Sequence, residues 1–150
     1  MFLLPCLIQK ENFLYKGGRK MRNEKSIIIF SLSILTAIII LEVIIYIYLR
    51  NTSNLILKNI NNTENFIKSD QWNKAKSSIE SASKEWNKIE EIWALITNHH
   101  EIDNITVSLK TAKEFIDTKE KADALASLES LKHYISHIPK MEKISLENIF

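Results

Sequence analysis

The sequence predicts an all-α protein in which an N-terminal transmembrane helix is followed by an antiparallel four-helix bundle of two αα-hairpins. Three observations carry this. Residues Ile27 to Leu49 form an apolar run relieved only by Ser31, Ser33, Thr36, Glu42 and two tyrosines. At ~1.5 Å per helical residue such a run spans roughly 35 Å, enough to cross a bilayer. From Asn51 to Phe150 there is no glycine, no cysteine and a single proline, which leaves neither the turn chemistry of a β domain nor a disulfide framework. Within that stretch the apolar residues recur at alternating steps of three and four, in four separate stripes, which is the period of packed helices.

The first twenty residues read as upstream sequence or a short N-terminal extension. Lys16-Gly17-Gly18 precedes Met21 closely, and Lys-Gly-Gly is what a bacterial ribosome-binding site encodes when read in frame. Pro5 before Cys6 is wrong for a lipoprotein cleavage motif, and no basic lead-in precedes it. With Met21 as the start, four cations and one acid are lost, so the formal net charge of +2 becomes −1. Residues 21–26 are then a cytoplasmic lead-in and 27–49 the span. Arg22 and Lys25 precede the span and only Arg50 follows it directly, which favours an inside N-terminus and a domain outside the cell membrane, single-pass. The run is longer than a signal-peptide core, no Ala-x-Ala site follows, and Tyr46 and Tyr48 suit its outer interface, so an uncleaved signal anchor is expected.

Glu42 is the one carboxylate inside the span. Such a group is costly in lipid unless protonated, paired or hydrated. It therefore marks either contact with a partner helix or a tilted helix whose outer end reaches water.

The domain from 51 to 150 carries thirteen Lys residues against fifteen acids, a balance that argues against a nucleic-acid partner. Its helices are expected at about 53–68, 70–98, 100–117 and 119–138, with a tail over 139–150. The stripes are Ile56, Ile60, Thr63, Ile67; then Trp72, Ala75, Ile79, Ala82, Trp86, Ile89, Trp93, Ile96; then Ile102, Ile105, Leu109, Ala112, Ile116; then Ala124, Leu128, Leu131, Ile135, Ile138. Ser53, Asp70 and Asp117 or Thr118 are candidate N-caps, Asn98-His99-His100 the middle turn, and Pro139 the stop. An offset of 49 residues superimposes Phe66-Ile67 on Phe115-Ile116 and Ile79-Glu80-Ser81 on Leu128-Glu129-Ser130, which reads as an internal duplication of one hairpin. Ile144, Leu146, Ile149 and Phe150 make the tail apolar enough to be expected back against the bundle as an irregular segment.

Chemistry is sparse. His133 and His137 stand one turn apart, the spacing with which two imidazoles share a metal ion, and His99 and His100 could reach the same bundle end. The pair lacks the Glu of an HExxH site and there is no cysteine in the domain. The tryptophans share one stripe and read as core anchors. No nucleophile–base set and no glycine-rich phosphate loop is present, and Glu90-Glu91 read as exposed helix residues, so no enzyme and no cofactor is expected.

A single span, Trp86 and Trp93, the run His100-Glu101-Ile102-Asp103-Asn104-Ile105, His137-Ile138-Pro139, and the ending Ser145-Leu146-Glu147-Asn148-Ile149-Phe150 together resemble a family of small membrane-anchored proteins of unknown function from Clostridia-type Firmicutes. The resemblance covers nearly everything after Met21. It implies that His100, Glu101, Asp103 and Asn148 matter, and that the partner is a multi-span membrane protein of the YetF type. The residues themselves offer a local account, with Glu101 and Asp103 favourable to the start of the third helix and His100 or Asn98 closing the turn before it. The function expected is that of a membrane-anchored, non-enzymatic accessory or interaction protein of the bacterial envelope. The alternative is a ligand- or metal-binding, sensor-like bundle using His99, His100, His133 and His137.

Overall fold

The computed structural model describes residues 4–147, with side chains described for 24–141. Four helices account for it: α1 (Leu4–Lys68), α2 (Trp72–Ile96), α3 (His99–Thr118) and α4 (Lys121–Glu147). No strand occurs among the described residues. The chain divides into two compact units, Met1–Glu42 and Val43–Phe150. The reading of residues 1–20 and the docking of Ile144, Leu146, Ile149 and Phe150 concern side chains outside the described set.

The Val43–Phe150 unit is a four-helix bundle. Every residue of the first, third and fourth stripes is buried, as are Ala75, Ile79, Ala82, Trp86 and Trp93 of the second. Trp72, Ile89 and Ile96 are half-buried at its margin. Leu49 joins this core although the sequence reading assigned it to the span. Short turns make sequential helices antiparallel neighbours. Ser78 Oγ donates to the Asn59 carbonyl at 2.9 Å, tying α2 to α1, and α3 packs along both α2 and α4.

The helix ends differ from the sequence expectation, each for a visible reason. Ser53 does not cap a new helix, because α1 runs unbroken through it. No glycine or proline interrupts 43–68, the Thr52 hydroxyl donates to the Tyr48 carbonyl at 2.8 Å, and Ser53 Oγ is used elsewhere. Pro139 does not stop the last helix either, since α4 continues to Glu147. A proline at 139 deprives the Ile135 carbonyl of its donor, which normally makes an interior proline costly. Here the Ser53 hydroxyl, buried across the interface on α1, donates to that Ile135 oxygen at 2.9 Å. The backbone of the tail to Glu147 is therefore helical, not irregular.

Asp70 ends α1 and does not begin α2. It sits at φ 57°, its amide bonds the Ile67 carbonyl at 3.0 Å, and the Gln71 amide bonds that of Phe66 at 2.8 Å. This is a Schellman closure with a non-glycine residue in the left-handed position. Gln71 is the N-cap residue of α2, without a side-chain capping bond. The α3–α4 turn repeats the geometry 49 residues on: Lys119 has φ 59°, its amide bonds Ile116, and the Glu120 amide bonds Phe115. Asp117 and Thr118 thus lie inside α3, where Asp117 pairs with Lys76 at 2.8 Å and Thr118 bonds back to the Glu114 carbonyl. Lys121 clamps the two turns, donating to Asp70 Oδ1 and to the Lys68 carbonyl. Only the middle turn follows expectation, with Asn98 Oδ1 accepting from the His100 amide at 2.9 Å.

A left-handed backbone at a residue with a Cβ is costly, and Lys119 has no side-chain bond among the described residues to offset it. Lys119→Gly is expected to raise the unfolding free energy of the full chain by about 1 kcal/mol in denaturant titration. An unchanged or lowered value would contradict the role given to this turn.

Candidate functional site

Indole-to-hydroxyl hydrogen bonds link the helices inside the bundle. Trp86 and Trp93 are buried on α2 and meet edge to face, their ring centres 5.6 Å apart at 84°. A buried indole needs an acceptor for its N–H. Trp86 Nε1 donates to Thr106 Oγ1 of α3 at 2.9 Å, and that hydroxyl in turn donates to Glu90 Oε1 at 2.7 Å. Trp93 Nε1 donates to Thr52 Oγ1 of α1 at 3.1 Å. Both indoles are therefore satisfied within the protein, which suits anchors of packing better than a ligand-stacking surface. Glu90 is a correction to the sequence reading: it is half-buried and bonded, not an ordinary exposed carboxylate. Thr52, Glu90 and Thr106 were missed; their signal lay in helical phase, since each sits in the layer where a Trp stripe needs an acceptor.

The histidines form two separate pairs. His99 and His100 are exposed at the start of α3, while His133 is exposed and His137 half-buried on α4. The imidazoles of His133 and His137 stack, 5.6 Å between centres and 13° between planes, and Tyr134 meets His133 edge-on at 5.8 Å. Among the described residues no group of three or more His, Cys, Asp or Glu is placed to hold a metal ion. Glu101, in the first turn of α3, is half-buried with Oε2 sealed from solvent and without a hydrogen-bond partner. Asp103 is exposed in the next turn, and Asn148 lies outside the described residues.

The Met1–Glu42 unit presents the opposite surface. Its large side chains from Ile27 to Leu41, apart from half-buried Ile39, are exposed, and they lie on all sides of α1, unlike the one-sided stripe of a helix packed on a core. The polar side chains here are partly silenced. Ser33 Oγ donates to the Phe30 carbonyl at 2.7 Å and Thr36 Oγ1 to that of Leu32 at 2.9 Å. Glu42 is half-buried and makes no ion pair among the described residues. α1 is the one described helix long and apolar enough to cross a membrane.

The domain of unknown function DUF4363 matches residues 43–149. The chain belongs to the DUF4363 family. No curated protein and no solved structure matches it. The match starts at Val43, where the bundle unit also starts. The match thus covers the bundle, and most of the apolar run lies outside it.

Electrostatics in the DUF4363 bundle centre on Glu64, which joins α1 to α4. Lys132 approaches it at 2.7 Å and also meets Glu129 at 2.7 Å, while Lys68 binds the other Glu64 oxygen. The hydrogen bond from Lys132, followed by that from Lys68, holds the Glu64 carboxyl below the usual value of 4.5. Glu129 first and Glu64 second hold the Lys132 ammonium above 10.5. Because the folded Glu64 value is depressed, its contribution is present above the unfolded pKa and is lost as pH falls through the folded one. Because the Lys132 value is raised, its contribution persists below about 10.5 and is lost as pH rises beyond its folded value. The melting temperature of the detergent-solubilised chain is therefore expected to fall on acidification below the carboxylate range, with a shallower fall in Glu64→Gln. Equal slopes in the two proteins would remove this bridge from the account.

Proposed function

We propose that this DUF4363 protein is a non-enzymatic accessory protein of the bacterial envelope, anchored in the cell membrane by the apolar part of α1 with its bundle on the outer side. The supporting observation is the run from Ile27 onward, apolar on every side, exposed, and with the Ser33 and Thr36 hydroxyls bonded back into the helix. Lipid has no donors or acceptors to offer, so a spanning helix must satisfy its polar groups itself. The charge asymmetry of Arg22 and Lys25 against Arg50 supports the orientation. The bundle adds a core in which the Trp86 and Trp93 indoles are satisfied from within, an architecture for binding a partner on its outside.

Glu42 is the point at which a second membrane protein would be recognised, since a carboxylate at that depth gains from a polar partner helix. A multi-span protein of the YetF type is the partner the sequence resemblance suggests. The bundle itself is read as a duplicated hairpin, supported by equivalent core positions and by two Schellman turns at an offset of 49 residues. A second reading, a ligand-sensing bundle, draws on the stacked His133 and His137.

The test is fractionation of native membranes followed by in-membrane crosslinking. The chain is expected to stay with the membrane after an alkaline wash, and a specific crosslinked partner to be lost in Glu42→Leu. Release by the wash would overturn the anchoring; an identical crosslinking pattern in the variant would overturn the role of Glu42.

A further inference from the structure

A recess of about 310 Å³ opens between α1 and α4 of the bundle unit, lined on the polar side by Tyr46, Arg50, Asn54, Ser136 and Lys140. We propose that it is a binding site for the phosphate of an anionic phospholipid headgroup. The proposal rests on the anchoring reading above, which supplies the lipid.

Charge is the first argument. The domain as a whole carries a slight excess of acids, yet this recess is lined by two cations and no acid. Neither Arg50 nor Lys140 belongs to an ion pair among the described residues, so no carboxylate neutralises the recess. Two cations on the wall of one recess favour an anion within it, and phosphate oxygens match the planar fork of arginine while lysine adds a point charge.

Donor accounting is the second argument. Ser53 gives its hydrogen to the Ile135 carbonyl and Ser136 gives its own to that of His133 at 3.1 Å. Their hydroxyls line the recess as fixed groups. The donors free to meet an anion are Arg50, Lys140, the Asn54 amide and the Tyr46 hydroxyl. Pro139 and Leu57 complete the wall with apolar surface, which suits the glycerol and first methylenes beside a headgroup.

Position in the chain is the third. Arg50 is the first residue after the apolar run and Tyr46 lies one turn before it, the order found where a spanning helix leaves the hydrocarbon and enters the headgroup layer. A volume of about 310 Å³ admits a phosphate with its glycerol.

The experiment compares melting of the full chain in nanodiscs of phosphatidylcholine alone, of equal parts phosphatidylcholine and phosphatidylglycerol, and of phosphatidylcholine with added inorganic phosphate. Phosphatidylglycerol is expected to raise the melting temperature of wild type by several degrees. Arg50→Gln/Lys140→Gln should lose that gain while melting like wild type in phosphatidylcholine, and Lys84→Gln/Lys110→Gln, which removes two exposed cations outside the recess, should keep it. No gain for wild type, or a gain retained by the Arg50→Gln/Lys140→Gln protein, would overturn the site. A full gain from inorganic phosphate would assign the recess to a free anion and overturn the lipid source. Loss of an envelope partner's crosslink in that variant without any lipid effect would assign it to an acidic protein surface and also overturn the proposal. Failure of the chain to enter nanodiscs at all is read separately, by co-elution, and would refute the anchoring itself.

Discussion

One hydrogen bond decides the shape of the bundle's α1–α4 interface. Pro139 removes the amide that would bond the Ile135 carbonyl, and an orphaned carbonyl in a sealed core costs about 1–3 kcal/mol. The Ser53 hydroxyl, reaching from α1, supplies the missing donor at 2.9 Å. Because the carbonyl is satisfied from outside its own helix, α4 continues past the proline to Glu147. Ser53 and Pro139 then both line the basic recess, together with Arg50 and Lys140. A residue expected to start one helix and a residue expected to stop another instead hold the two together.

The same economy recurs through the core. Hydroxyls of Thr52 and Thr106 take the indole hydrogens of Trp93 and Trp86 and pass their own hydrogens onward, to the Tyr48 carbonyl and the Glu90 carboxylate. Each chain crosses a helix interface and satisfies the indole donor of a buried tryptophan. Polar side chains in this bundle thus specify which helix meets which, while isoleucine, leucine and alanine supply the apolar filling. The exception is Glu101, whose buried Oε2 has no partner among the described residues. It stands at the start of α3, in the run of motif residues that the sequence singled out.

The helical stripes were legible because burial in a bundle follows period, and period needs only the spacing of Ile56, Ile60 and their counterparts. The two left-handed turns, at Asp70 and Lys119, stand 49 residues apart. Helix ends were not legible, since Ser53, Asp70, Asp117 and Thr118 have the composition of caps but their polar atoms are claimed by groups distant in sequence or by the preceding turn. A cap rule sees a residue and its next three neighbours; it does not see Ile135 from Ser53. The same blindness hid Glu90, whose partner lies on another helix, and the recess, whose two cations are separated by most of the domain. The histidines lie in two places: His133 and His137 stack on α4, and His99 and His100 are exposed at the start of α3.

The measurement that bears most directly on this account is a double-mutant cycle between Ser53→Ala and Pro139→Ala, read as unfolding free energy in the full chain. Ser53→Ala alone is expected to cost about 1–3 kcal/mol, since it strands a buried carbonyl. In the Pro139→Ala background the restored amide can bond Ile135, so the same Ser53→Ala change should cost less than half as much. An equal cost in both backgrounds would mean that the serine does not stand in for the proline's missing donor, and the account of the α1–α4 interface would fail.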